Sequence, residues 1–367
     1  MNDKERLHEL DSLRALAAIG VIGWHYTGHF RASPLPQLMA PFYHHGLLLV
    51  DFFFVLSGFV LSRTYWTAER SGLFAQNFRD RIARLYPLHF TMLLVVAALQ
   101  WYLAHQLASV PFIYTFNDKR DFVLHLFLLN RTGLERGFSF NAPAWSISTE
   151  FIINTIFLLA IVFSRRVATI ILSIIFAIGL AVVLRNGLIS NATMAGIDND
   201  IFRTIVGFFV GVALHRCHAK FIAPHGLREG FSTLLSIVGM SAFLYYCTNG
   251  ANYQRLDLVV AVLCFPAIII GAIHGSAAKR VLNFPILTYL GTISYSIYLV
   301  HYPLQLAIHV VSVATGIIIP YGNPLFLVGF LLLVIATASL TYAVIEIPGK
   351  RFLKHKLGGS RSSAQVV

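Results

Sequence analysis

The sequence predicts an all-α, polytopic membrane protein of about ten transmembrane helices in one bundle. Three observations carry that reading. Of 367 residues, 57% are hydrophobic and only 12% charged, with mean hydropathy +0.70, whereas a soluble domain has about 25% charged residues. Apolar windows of about twenty residues recur along the whole chain. Lys and Arg alternate between rich and poor connections.

The windows place spans at 13–30, 46–62, 88–110, 144–164, 167–184, 201–217, 231–247, 256–274, 289–313 and 324–345. The first follows the polar MNDKERLHELD. Arg14 and His25 within it, and the lack of a small-residue cleavage site after it, argue against a signal peptide, so it is expected to stay as helix one. Span two, VDFFFVLSGFVLSRTY, puts Ser57 and Gly58 at mid-membrane, where small residues let backbones approach closely. Between spans three and four, 111–143 includes DFVLHLFLLN, an amphipathic piece suited to the membrane surface. Near the end of span ten, Glu346 precedes a proline expected to end that helix. No fixed-period repeat is visible, so residues 1–349 read as one membrane domain and 350–367 as a short basic tail.

Ten spans put both termini on one side. That side holds nineteen Lys and Arg against seven on the other, and the positive-inside rule makes it the cytoplasm. The net charge of +12 is then mostly topology and needs no nucleic-acid partner. Cys217, Cys247 and Cys264 have no metal-ligand spacing and read as reduced packing residues; no metal is expected.

Chemistry concentrates in four places. Arg14 and His25 are eleven positions apart, which returns to within about 20° on a helix, roughly 16 Å along. Ionisable groups inside a bilayer usually face a protein interior and do work there. Counting down from the expected helix ends, Asp51 and Glu150 fall in the same layer as His25, as a general base and an orienting carboxylate would require. Both also lie in the first turns of their helices, where capping and dipole interaction are the alternative. Arg81 and Arg84 in FRDRIARLYPLHF share a helical face and form a fork suited to phosphate. Ser294, Tyr298, His301 and Gln305 recur at steps of four, three and four, one polar stripe facing the bundle interior.

In order, LDSLRALAAIGVIGWH, VDFFFVLSGF, FRDRIARLYPLHF, APAWSISTEF, ISYSIYLVHYPL and YAVIEIPGKRF resemble the acyltransferase-3 family of bacterial integral membrane acyltransferases, over almost the entire chain. The resemblance implies an enzyme of the bacterial cytoplasmic (inner) membrane. It would move an acyl group, most often acetyl from acetyl-CoA, to a hydroxyl of a carbohydrate or glycolipid acceptor. Arg14 with His25 matches the family's Arg-ten-residues-His motif, and Arg81 with Arg84 its Arg-x-x-Arg motif. The expected site is therefore His25, Glu150 and Asp51 for catalysis, Arg14, Arg81 and Arg84 for the donor's phosphates, and Ser57, Tyr298 and His301 lining the substrate. Direct transfer to the acceptor and a covalent acyl-His25 stay open. Longer family members carry a C-terminal periplasmic hydrolase-like domain, not expected here. The competing class is a proton-coupled transporter or flippase for an anionic solute or glycolipid, which the lack of an inverted repeat disfavours.

Overall fold

A computed structural model describes residues 7–68, 72–249 and 256–357. Residues 358–367 of the expected tail, and Lys4, Arg6, Arg70, Arg255 and Arg361 of the charge asymmetry, lie outside the described residues.

The helices are α1 His8–Phe30, α2 Pro36–His45, α3 Leu49–Tyr65, α4 Leu73–His105, α5 Lys119–Leu126, α6 Trp145–Phe163, α7 Arg165–Asn186 and α8 Asn199–Cys217, followed by α9 Glu229–Asn249, α10 Asp257–His274, α11 Ser276–Leu282, α12 Pro285–Thr292, α13 Ser294–Thr315, α14 Pro324–Thr341 and α15 Ile347–Lys356. Two two-residue strands, Thr193–Met194 and Ile197–Asp198, pair antiparallel in the connection before α8. Nine helical stretches among the described residues are long and apolar enough to cross a membrane, and they coincide with expected spans two to ten. The remaining span is α1. Its 23 residues extend about 34 Å, and it sits at the centre, packed against α2, α3, α10, α11, α12 and α13. From residue 9 to residue 26 only Leu16 is exposed.

Three boundaries differ from expectation. The Arg81/Arg84 segment, expected as a helical face in the connection before span three, is continuous with that span in α4, whose 33 residues run about 50 Å against a hydrocarbon core of about 30 Å. Pro87 is tolerated within it. Span nine is broken at Ile293 into α12 and α13, and just before the break Gly291 lies so close to the Asp11 backbone of α1 that a Cβ there would overlap it. Pro348 does not end the last helix either: a π turn over Tyr342–Glu346 joins α14 to α15, and the proline falls in the first turn of α15, where no N–H is needed. The amphipathic α5 docks on α4 through His89 Nε2–H donating to the His125 carbonyl at 2.7 Å, leaving Val123 and Phe127 exposed.

The tightest helix pair is α3 with α8. Gly58 faces the Phe208 carbonyl and Gly211 the Val55 carbonyl with no room for a Cβ at either position. Above this contact the two helices share a buried ion pair. Arg203, 1% exposed, donates Nε and Nη2 to Asp51 at 2.9 and 2.6 Å and Nη2 to the Leu47 carbonyl at 3.0 Å. Its guanidinium lies 5.3 Å from the Trp145 ring centre. Asp200 is 4.0 Å from Arg203 and accepts from Arg131 Nε at 2.7 Å, while Arg131 Nη2 donates to Asp198 at 2.9 Å. Alternating charges thus tie the connection before α6 to the bundle.

Asp198 lies outside the membrane-spanning segments. Burial pushes its carboxyl up to about 6, despite the Asp200 N–H and Arg131 facing it. A raised carboxyl favours the folded state fully below the ordinary value near 4 and loses that contribution as pH rises through 6. Thermal stability in detergent should accordingly fall between pH 4 and 6. Asp198→Asn should flatten that segment of the profile, and an unchanged slope would refute the assignment.

Candidate functional site

Two polar centres sit along α1, one around His25 and one around Arg14. His25 is 4% exposed and its neighbours are histidines, not carboxylates. Its Nδ1 is 3.3 Å from His29 Nε2, and its ring centre is 4.8 Å from that of His29 and 4.9 Å from that of His301. His29 Nδ1 meets Gln305 Oε1 at 2.7 Å, and His29 Nε2 meets the Tyr114 hydroxyl at 2.9 Å. The partners fix the tautomers. An amide oxygen only accepts, so His29 carries its hydrogen on Nδ1, and the single lone pair of its Nε2 is shared between the Tyr114 hydroxyl at 2.9 Å and, more weakly, His25 Nδ1–H at 3.3 Å. His25 Nε2 is left with a free lone pair and makes no hydrogen bond among the described residues.

His301 and Gln305 come from the polar stripe of α13. His301 Nδ1–H donates to the Tyr298 carbonyl at 2.6 Å. The Tyr298 hydroxyl meets Ser146 Oγ at 2.9 Å and donates to the Pro143 carbonyl at 2.8 Å, so Tyr298 braces the start of α6 against α13. The clustered histidines invite a metal reading, but among the described residues no group of three His, Cys, Asp or Glu side chains is placed to hold an ion.

The second centre collects basic groups from three helices. A polar cavity of about 70 Å³ is lined by Asp11 and Arg14 of α1, Arg84 of α4, Thr292, Glu346 and Lys350. A cavity of this size admits several waters, at about 10–15 Å³ each, and so a group the size of a phosphate. Arg14 donates to Asp11 at 2.9 Å and Ser296 Oγ to Glu346 at 2.7 Å, so both acids have partners, whereas Arg84 and Lys350 make no ion pair among the described residues. A larger groove of about 500 Å³ between α13 and α14, lined by Leu304, Ile308 and Phe330, is wholly apolar and offers no group to orient a reactant.

Of the residues singled out in the sequence, Arg14, Arg81, Arg84 and Glu150 are brought close enough to feel one another's charge. Glu150 accepts from Ser57 Oγ at 2.6 Å and Asn154 Nδ2 at 3.2 Å and lies 3.8 Å from Arg81 Nη1. It therefore faces the arginines. The expected carboxylate beside His25 is absent in both candidates, since Asp51 is bound to Arg203. Sequence reasoning missed His29, Tyr114, Arg203 and Lys350. His29 was findable, because it follows His25 by four residues on the same helix face, and Arg203 was a second intramembrane arginine open to the argument applied to Arg14.

Residues 7–343 match a family described as an acyltransferase domain (acyltransferase-3). Among curated proteins the chain is 24% identical to the peptidoglycan O-acetyltransferase OatA of Listeria monocytogenes, over 80% of this chain and 49% of that protein. It is 25% identical to the O-acetyltransferase OatA of Staphylococcus aureus, over 98% of this chain and 60% of that protein. It is 30% identical to the acyltransferase MdmB of Streptomyces mycarofaciens, over 40% of this chain and 37% of that protein. The chain thus spans about half the length of the first of these relatives. No solved structure matches it.

Proposed function

Because the chain belongs to the acyltransferase-3 family, we propose that it is a membrane O-acyltransferase carrying an acyl group, foremost acetyl, from acyl-coenzyme A to a hydroxyl of a carbohydrate acceptor. The observation that carries this reading is one helix joining a basic cavity to an imidazole, His25, whose Nε2 makes no hydrogen bond among the described residues. Donor phosphates fit Arg14, Arg84 and Lys350. About 16 Å along α1, a distance a pantetheine arm can cover, the thioester would reach His25. His29, oriented by Gln305 and Tyr114, holds the His25 Nδ1 hydrogen so that the Nε2 lone pair faces the reactants. The charge asymmetry supports a cytoplasmic donor side, both termini in the cytoplasm and residence in a bacterial inner membrane. The names of the relatives support a cell-surface polysaccharide, peptidoglycan included, as acceptor.

The test is cleavage of acetyl-CoA by purified protein in proteoliposomes, with titration of coenzyme A against its analogue lacking the 3′-phosphate. Wild type should prefer coenzyme A. Arg84→Lys keeps the charge but loses the planar fork, so it should weaken that preference and raise the donor KM more than it lowers turnover. Equal affinities throughout would remove the cavity from donor binding.

Glu150→Gln separates electrostatics from chemistry. The amide oxygen still accepts from Ser57, but the arginines lose a counter-charge worth about 1 kcal/mol at 4 Å in a water-like dielectric. The donor KM should fall several-fold with turnover nearly unchanged. A hundredfold loss of turnover would make Glu150 a participant in the reaction.

A further inference from the structure

We propose that His301 is a second catalytic base, and that transfer runs in two half-reactions with the acyl group carried on His25 Nε2 between them. This rests on the acyl-transfer reading above. His301 is fully buried, its Nδ1 hydrogen is committed to the Tyr298 carbonyl, and its Nε2 has no hydrogen-bond partner among the described residues. Its ring centre is 4.9 Å from that of His25, whose Nδ1 is committed to His29. Two adjacent imidazoles therefore keep their Nε2 lone pairs free. His301 Nε2 is a buried acceptor left unpaired, which is costly, so the arrangement asks for a use of it beside His25. Direct transfer needs one base and leaves the other lone pair idle. A two-step route needs a nucleophile and, once that nucleophile is acylated, a separate base. Gln305 completes the set, since its Nε2 is a buried donor without an acceptor, the kind of group that stabilises a developing oxyanion.

In the first half-reaction His25 Nε2 attacks the thioester carbonyl. The N–C bond forms, the C–S bond breaks, coenzyme A leaves as thiolate, and the His25 Nδ1 hydrogen passes to His29 Nε2. In the second, His301 Nε2 takes the proton of the acceptor hydroxyl as its oxygen attacks the acyl carbonyl. The C–N bond breaks, His29 returns the hydrogen to His25 Nδ1, and the proton on His301 leaves through solvent to balance the thiolate. With water as the acceptor, the same sequence is hydrolysis.

Rapid quenching with acetyl-labelled acetyl-CoA, without added acceptor, tests the assignment. Wild type quenched within the first turnover should carry label on His25, located by peptide mass spectrometry. His301→Gln should release one equivalent of coenzyme A, accumulate acetyl-His25, and then turn over about 10²-fold or more slowly, the contribution of a general base. Hydroxylamine, which attacks acyl-imidazoles without a base, should restore coenzyme A release in this variant. His25→Ala should carry no label. Three results overturn the proposal: turnover of His301→Gln within threefold of wild type, a folded His301→Gln with no burst, or label absent from His25 in wild type. The wild-type measurement decides the intermediate even if the variant does not fold. No cleavage of acetyl-CoA by wild type at all would defeat the acyl-transfer reading instead.

Discussion

His25→Ala is expected to lower acyl transfer by about 10²-fold or more, since a positioned base alone contributes about 10²- to 10⁴-fold and the acyl carrier is lost with it, while the protein still expresses, inserts and folds. The side chain makes one long hydrogen bond, 3.3 Å to His29. Removing it gives up the ring contacts with Trp24, His29 and His301, while His29 keeps Gln305 and Tyr114. Insertion should not suffer, since a less polar helix partitions into the bilayer more readily. Turnover in proteoliposomes, alongside an apparent melting temperature in the same detergent, checks both halves. Activity within threefold of wild type would remove His25 from the mechanism.

The largest stability effect is expected from Asp51→Ala. The Asp51–Arg203 pair is 1% exposed on both sides, and removing one partner strands a charge in a medium that cannot solvate it, a loss of about 3–5 kcal/mol. The apparent melting temperature should drop on the order of 5–10 °C. Asp51→Leu combined with Arg203→Met replaces two charges with apolar volume and should recover most of that loss, because a buried pair is often no more stabilising than a well-packed apolar substitute. The double variant should also recover most of the activity. An inactive double variant of normal stability would show that Asp51 acts in the reaction itself.

That contrast explains how far the sequence could be read. The expected common layer of His25, Asp51 and Glu150 is not what the structure has, since Glu150 sits with the Arg14 centre. Hydropathy and helix rise made the spans themselves legible from counting. Azimuth was not. Which way a carboxylate points depends on how each helix is rotated by its neighbours. Gly58 and Gly211 turn α3 onto α8, bringing Asp51 to Arg203, and Glu150 reaches towards Arg81 and Ser57 instead of His25. Pairs on one helix were open to inference because 3.6-residue periodicity fixes their relative direction: Arg14 with His25, and His25 with His29. Lys350 was hidden by the expectation that Pro348 ends the helix, since only the π turn carries the chain onward to the cavity.

The burial of α1 on nearly every side has a mechanical meaning. A helix clasped by six others has no free direction in which to tilt, roll or slide, so it behaves as a fixed axle on which both polar centres are mounted at constant spacing. Rocking of one half of a bundle against the other, the motion by which transporters alternate access, would have to shear that axle. Reactants must then come to a stationary frame, flanked by the 111–143 connection over the histidines at one end and by α15 beside the basic cavity at the other.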